Sequence, residues 1–161
     1  MNYPYHLCQL NFEIYPLFGD QIKGTPHIFD MSYRNHALLN IDISNQQNFQ
    51  KILEDELKRH HKEWGIGGYL ERRDSLLRNC PQMVQSKRFF HLGLDITAPK
   101  NSTLYAPLSG EVATADYESG NGNFGGRIVL KHTLASETFY SLYGHLDRQS
   151  LPKAGTYIEK G

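Results

Sequence analysis

From about residue 105 onwards, the chain shows a succession of β-strand patterns separated by turn residues, and this pattern most constrains the fold. The segment 105–112 has the Pro and Gly punctuation of a strand, a turn and a second strand. Segments 127–132 and 138–143 are rich in the β-branched, aromatic and aliphatic residues of strands. Residues 118–126 include four glycines and two asparagines, so a long exposed loop is expected there. This region is therefore predicted to form an antiparallel β-sheet or β-sandwich.

One amphipathic helix is predicted before the β region, at about residues 46–64. Apolar side chains recur there at helical spacing, and charged residues fill the opposite face; the apolar set is Phe49, Ile52, Leu53 and Leu57. Ser44 or Asn45 is the expected N-cap, and the glycine-rich run 65–68 is expected to end the helix.

The remaining N-terminal residues are less patterned. Segment 12–44, including the apolar run 38–43, suggests short strands and loops. The predicted fold class is therefore α+β, mostly β. An N-terminal segment at residues 1–70 contains the helix, and a β core occupies residues 71–161.

Composition narrows the classes of function. Lys and Arg together number 17, as do Asp and Glu, so the formal net charge is zero and nothing favours nucleic acid or an anionic membrane as a partner. Cys8 and Cys80 fit neither a zinc nor a redox spacing, which favours two reduced thiols, with a single disulfide as the alternative. The first twenty residues do not resemble a signal peptide, and no apolar run could span a membrane. A cytoplasmic location is expected, or an extracytoplasmic one if an export signal has been lost.

His91 and Asp95 are the candidate metal ligands. A histidine nitrogen and a carboxylate oxygen suit a tetrahedral zinc ion, which catalytic sites complete with a third protein ligand and an open water position. On a straight strand, the Cα atoms of positions 91 and 95 would lie about 13 Å apart, which is awkward for two ligands at about 2 Å from one ion. We therefore expect a bend or bulge near Gly93.

These two residues belong to an ordered set of motifs. The set comprises His91-x-x-x-Asp95, Ala98-Pro99, Ala106-Pro107-x-x-Gly110-x-Val112, Ile128-Val129-Leu130-x-His132 and Tyr143-Gly144-His145-Leu146. In order and approximate spacing it resembles the lysostaphin/LytM-type zinc metallopeptidases, which cut peptide cross-links in bacterial cell walls. The run 65–73 is similar to a branch of that family described as peptidoglycan DD-metalloendopeptidase-like. The resemblance implies His91 and Asp95 as zinc ligands, His145 as a catalytic residue, and a peptide or peptidoglycan fragment as substrate.

The sequence departs from the family pattern in one respect. The family takes its third zinc ligand and a further catalytic histidine from a downstream His-x-His strand, and the sequence ends at Gly161 before such a strand. A C-terminally truncated peptidase core with an incomplete zinc site is therefore expected. Two interpretations stay open: a zinc-dependent metalloendopeptidase, or an inactive peptidase-like domain that acts as a binding module. A sheet without its last strands also predicts a homodimer that covers the exposed edge.

Other polar residues have alternative interpretations. His132 is either a substitute metal ligand or, as we expect, a structural hydrogen-bonding residue. His60 and His61 are expected to be solvated at the C-terminal end of the helix, where positive charge is favourable, rather than metal ligands. His27 carries no prediction. The glycine-rich loop is expected to be solvated rather than to line a substrate groove; its candidate groove residues are Tyr117, Asn121, Asn123 and Phe124.

Overall fold

The structure is a computed structural model that describes residues 5–42, 45–120 and 122–161, with side chains from residue 7 onwards. The chain forms two compact units. We call Gln21–Ser102 the helical unit, and the described residues up to Asp20 together with Thr103–Gly161 the sheet unit. Each is described by itself. The division predicted near residue 70 stays a prediction.

The predicted amphipathic helix lies in the helical unit as α2, Gln46–Arg59. Asn45 is its N-cap, and the Asn45 side chain accepts a hydrogen bond from the Asn48 backbone N–H at 3.1 Å. The alternative cap, Ser44, lies outside the described residues.

Helix α2 ends five residues before the predicted boundary. His61 takes the left-handed conformation, with φ of 52°. The Lys62 N–H donates to the Leu57 carbonyl at 2.9 Å, and the His61 N–H donates to the Lys58 carbonyl at 3.1 Å. These two bonds form a Schellman motif, which satisfies the last carbonyls of the helix. The prediction that the glycine run 65–68 ends the helix was therefore wrong.

Those glycines belong instead to the sheets of the helical unit. Strand β1 (His27–Phe29) pairs in parallel with β2 (Gly65–Gly67), and β2 pairs in antiparallel with β5 (Asp95–Thr97). A side chain at Gly65 would collide with the Phe29 ring, so the close approach of β1 and β2 requires glycine there. A second antiparallel pair is formed by β3 (Glu71–Arg72) and β4 (Phe90–His91).

Helix α2 and short helical turns build the core of the helical unit. The turns are α3 (Asp74–Leu77), α4 (Pro81–Gln85) and a 3-10 helix at His36–Asn40. The buried cluster consists of Phe29, Met31, Leu38, Leu57 and Leu76, with Ile41, Phe49 and Leu53 packed against it. Three of the four predicted apolar positions of α2 therefore face this core, whereas Ile52 is exposed. The strand suggested for 38–43 was wrong over residues 38–40, which are helical, and Ile43 lies outside the described residues.

The sheet unit contains a four-stranded antiparallel sheet in the order β8-β7-β6-β9. Its strands are β6 (Gly110–Glu118), β7 (Gly125–Leu134), β8 (Glu137–Leu146) and β9 (Tyr157–Ile158), preceded by the short helix α1 (Tyr5–Gln9). The predicted strands 127–132 and 138–143 lie within β7 and β8. These sheets confirm the α+β, mostly β, fold class.

Two further features concern the whole described chain. Cys8 is exposed, Cys80 is buried, and both are free thiols. Among the residues that the structure describes, no helix combines the length and the apolar character needed to cross a membrane.

Candidate metal centre

His91 and Asp95 lie at the facing ends of two strands in different sheets. His91 ends β4, Asp95 begins β5, and the chain bends at Gly93 between them, as predicted. The bend brings His91 Nε2 to 3.5 Å from Asp95 Oδ1. Two ligands of one tetrahedral zinc ion lie about 3.3 Å apart when each is about 2 Å from the metal. The two side chains therefore fit adjacent positions in one coordination sphere.

A buried arginine holds the other oxygen of Asp95. Arg73, only 6% exposed, contacts Asp95 Oδ2 through Nη1 at 2.5 Å. The same guanidinium donates to Glu71 Oε2 through Nη2 at 2.7 Å and through Nε at 3.1 Å. Arg73 therefore fixes the Asp95 carboxylate and leaves Oδ1 directed towards His91. Carboxylates that bind metals are commonly oriented by outer partners of this kind.

The register of the two small sheets explains this arrangement. Gly67 pairs with Asp95 across β2 and β5, and Glu71 pairs with His91 across β3 and β4. A Cβ atom at Gly67 would lie 3.2 Å from Arg73 Nη2 and 3.4 Å from Asp95 Oδ2. The glycine thus leaves room for the ion pair beside the strand. The sequence pattern of run 65–73 predicts no contact with Asp95.

The surroundings of His91 favour its neutral, metal-binding form. Burial is the main cause that lowers the pKa of His91, and the nearby Arg73 lowers it further. Asp95, Glu71 and the Gly68 backbone act in the opposite direction. Nδ1 of His91 is buried, and no group forms a hydrogen bond with it in ordinary geometry. A neutral imidazole offers a nitrogen lone pair to a metal ion, whereas the protonated ring offers none.

Glu71 is not placed to serve as the third ligand. Its Oε2 accepts from Arg73, and its Oε1 accepts from the Met31 backbone N–H at 3.3 Å. Within the described part of the helical unit, no third His, Cys, Asp or Glu ligand atom groups closely with the pair His91 and Asp95. The described part of the helical unit therefore brings together two candidate ligands, whereas a catalytic zinc site uses three protein ligands.

His145 lies in the sheet unit, near the end of β8. It is exposed and has a φ of 59°, an unusual conformation for a residue other than glycine. Its backbone N–H donates to the Phe124 carbonyl at 2.7 Å. The register of β7 and β8 shifts here, since Gly126 pairs with Leu146 and Ile128 pairs with Tyr143. Bulges of this kind re-aim side chains beside functional sites, and the catalytic role of His145 stays a prediction.

His132 has the structural role that we expected. Its side chain lies in the sheet unit and is 2% exposed. Nδ1 is 2.9 Å from the Ser109 carbonyl, and Nε2 is 2.7 Å from Ser141 Oγ. The ring also stacks on Phe139 with centroids 5.0 Å apart. Because both ring nitrogens are engaged, His132 is not available as a substitute ligand.

The glycine-rich loop is shorter than predicted, because β6 extends to Glu118 and β7 begins at Gly125. Asn123 Nδ2 donates to the Ser119 carbonyl within the loop at 2.8 Å. The rings of Tyr117 and Phe124 are covered in part by Arg148 and Arg127; Asn121 lies outside the described residues. The expectation of a solvated loop stays a prediction.

Comparison with known families bears directly on this site. The model for peptidase family M23 matches residues 89–161. This part of the chain is similar to peptidase family M23. The match includes His91, Asp95 and His145, and it confirms the resemblance to LytM-type peptidases. Peptidases of family M23 are generally metal-dependent, and the similarity to this family implies a peptide substrate. No significant match was found among curated proteins or among solved structures.

Proposed function

We propose that this chain is a zinc-dependent metalloendopeptidase, with His91 and Asp95 as metal ligands and His145 as a catalytic residue. The observation that carries the proposal is the pairing of His91 Nε2 with Asp95 Oδ1 at 3.5 Å, within the segment that matches family M23. The proposed substrate is a peptide of the kind that cross-links bacterial cell walls, which rests on the family resemblance.

The chain's own residues divide the work as follows. His91 and Asp95 would hold zinc, and Arg73 keeps the Asp95 carboxylate oriented. A zinc ion held by these residues would supply the activation of a water nucleophile and the polarisation of the scissile carbonyl. The exposed ring of His145 has two nitrogens, Nε2 and Nδ1, through which an imidazole can give or accept a proton as a general acid or base. Its position on a strand bulge leaves it accessible to a peptide.

Metal content and hydrolysis test this proposal together. We expect about one zinc ion at the family site of the purified chain, lost in both His91→Ala and Asp95→Asn. Cleavage of a cell-wall cross-link peptide should disappear in the same variants and in His145→Ala, which should keep its zinc. His36→Ala, a substitution in the 3-10 helix, serves as the control for a lost histidine. Unchanged zinc content in folded His91→Ala and Asp95→Asn would refute the assignment of the ligands.

The second candidate function is a peptide-binding module without catalysis. It is favoured by the number of candidate ligands at the family site. The described residues of the helical unit place two there, His91 and Asp95, and both Glu71 oxygens are engaged elsewhere. Removing one of three protein ligands weakens metal binding, because the remaining polar groups are then solvated by water. Peptide binding that persists in His91→Ala without any hydrolysis by the parent chain would support this second function. Hydrolysis that requires both zinc and His91 would exclude it.

A further inference from the structure

A second group of metal-ligating side chains lies in the helical unit, away from the motif of family M23. It consists of His27, Glu56 and His60, which we call the second histidine cluster. His27 begins β1, Glu56 lies in the last turn of α2, and His60 is the C-cap of that helix. The family match begins at residue 89, so it includes none of the three.

The distances within the cluster fit one metal ion. Glu56 Oε1 lies 3.5 Å from His27 Nε2 and 3.2 Å from His60 Nε2. All three ligand atoms lie within 4.8 Å of one another. The edge of a tetrahedral zinc site is about 3.3 Å. The two distances from Glu56 are therefore close to that edge, and the distance between the two histidine ligand atoms is at most 4.8 Å.

Contacts at the C-terminal end of α2 orient the three side chains of the second histidine cluster. Glu56 and His60 are four residues apart and so project from the same face of α2. Arg59 holds Oε2 of Glu56, which leaves Oε1 for the two histidines. The ring of His27 stacks on that of His60, with centroids 4.4 Å apart and planes inclined by 20°. His27 also packs edge-on against Phe29 at 4.8 Å, so its orientation is fixed from two sides.

Charge favours a metal ion over protons in this cluster. Two stacked imidazoles repel each other when both are protonated, and burial, His60 and Lys62 all lower the pKa of His27. Glu56 acts in the opposite direction. A divalent ion bound by the cluster would place its positive charge beside the Glu56 carboxylate. Two imidazoles and one carboxylate form a donor set that suits zinc.

We propose that His27, Glu56 and His60 form a second site for zinc, separate from the pair His91 and Asp95. Its three protein ligands leave one coordination position for water or another ligand. The ion would join the C-terminal end of α2 to β1, two elements that β1 pairing with β2 and the packing of Leu57 already bring close. The proposal does not depend on the function proposed for the family site.

The test uses the 161-residue chain with His91→Ala, so that zinc at the family site does not contribute. Calorimetric titration with zinc chloride should show one ion per chain, and zinc should raise the thermal unfolding midpoint. In this background, Glu56→Gln and His60→Ala should each weaken zinc affinity by at least about tenfold. Loss of a metal ligand lowers the affinity more than loss of a residue that only hydrogen-bonds to a ligand, which itself lowers it by about tenfold or more. Glu56→Gln keeps the shape of the side chain, and His60 is 47% exposed, so both variants should fold.

The neighbouring histidine provides a matched control. His61→Gly removes an imidazole one position away and suits the left-handed conformation found there. It should bind zinc as tightly as the His91→Ala parent. Three results would overturn the proposal: a zinc dissociation constant above about 1 mM in the folded parent, unchanged affinity in both cluster variants, or an equal loss of affinity in His61→Gly.

Discussion

Replacing Arg73 by Met should destabilise the helical unit and weaken metal binding at the family site. Arg73 is buried and contacts two carboxylates, Glu71 and Asp95, whose side chains are 14% and 34% exposed. Arg73→Met removes the guanidinium and leaves the Glu71 and Asp95 carboxylates without a cationic partner. Breaking a buried ion pair from one side costs about 3–5 kcal/mol. Because Asp95 retains some contact with water, we expect about 3 kcal/mol, the lower end of that range.

The loss of unfolding free energy can be measured by urea unfolding, with tryptophan fluorescence as the signal. Trp64 is the one tryptophan of the chain and belongs to the helical unit, where its Nε1 donates to the Lys23 carbonyl at 3.1 Å. With a denaturant slope of about 2 kcal/mol per molar urea, a loss of about 3 kcal/mol lowers the midpoint by about 1.5 M. Zinc affinity should fall about tenfold or more, as when an outer partner of a metal ligand is removed.

Arg72 provides the matched control for this prediction. It is adjacent in sequence, and its side chain is 52% exposed and pairs with Asp74 at the surface. Exposed ion pairs contribute little to stability, so Arg72→Met should leave both the midpoint and zinc binding nearly unchanged. Equal midpoints for the two methionine variants would refute the argument from burial. A stable Arg73→Met variant with full zinc affinity would show that Asp95 does not need this partner.

Three further outcomes are expected. Gly93→Ala should lower zinc affinity at the family site in a metal titration, since the added Cβ would lie 3.3 Å from Cε1 and Nε2 of His91. His132→Leu should lower the free energy of unfolding by about 2 kcal/mol in urea, because the Ser109 carbonyl and the Ser141 hydroxyl lose a buried hydrogen-bonding partner, while zinc content stays unchanged. Burial raises the pKa of the Cys80 thiol from its usual 9.0, and Asp42 adds to this. Its contribution to stability is therefore complete below pH 9 and is lost as the pH rises through the folded value. The pH dependence of unfolding above pH 9 should accordingly be weaker in Cys80→Ala, and iodoacetamide should modify exposed Cys8 well before Cys80.

The homodimer inferred from the sequence stays a prediction. Strand β8 is the outer strand of the sheet on one side, and it exposes Tyr140 (58%) and Leu142 (49%). A dimer could form by pairing of β8 from one copy of the chain with β8 from a second copy. Sedimentation velocity at several protein concentrations would show it, and a monomer at all concentrations would exclude it.

Sequence patterns were sufficient where the determining contacts are local. The period of apolar residues located α2, and the β-rich segments located β7 and β8, because these signals are carried by neighbouring residues. The bend at Gly93 was predicted from distance alone, because residues 91 and 95 on a straight strand would lie too far apart to bind one ion. The end of α2 was missed because His61 occupies the left-handed position that glycine usually fills. The next glycines were then taken for the helix terminator.

Contacts between segments distant in sequence could not be derived in this way, and they include the partner of Asp95. Arg73 is 22 residues from Asp95, and it reaches the carboxylate because β2 pairs with β5 while β3 pairs with β4. Strands of two or three residues have almost no periodicity, so neither pairing could be inferred from the sequence. The family motif marked the ligands, but the residue that orients one of them emerged only from the register of these pairs.

The same reasoning explains why the second histidine cluster was not expected. The spacing of Glu56 and His60 can be recognised in any helix, yet on a solvated helix end it indicates only a weak ion pair. Their third partner, His27, begins a strand that pairs in parallel with Gly65–Gly67, and parallel pairs require long connections whose pairing no local signal specifies. The connection between these strands contains α2 itself, so the pairing of β1 with β2 returns the end of the helix to the start of β1. Two ordinary local features thus become a candidate metal site only when the chain closes on itself.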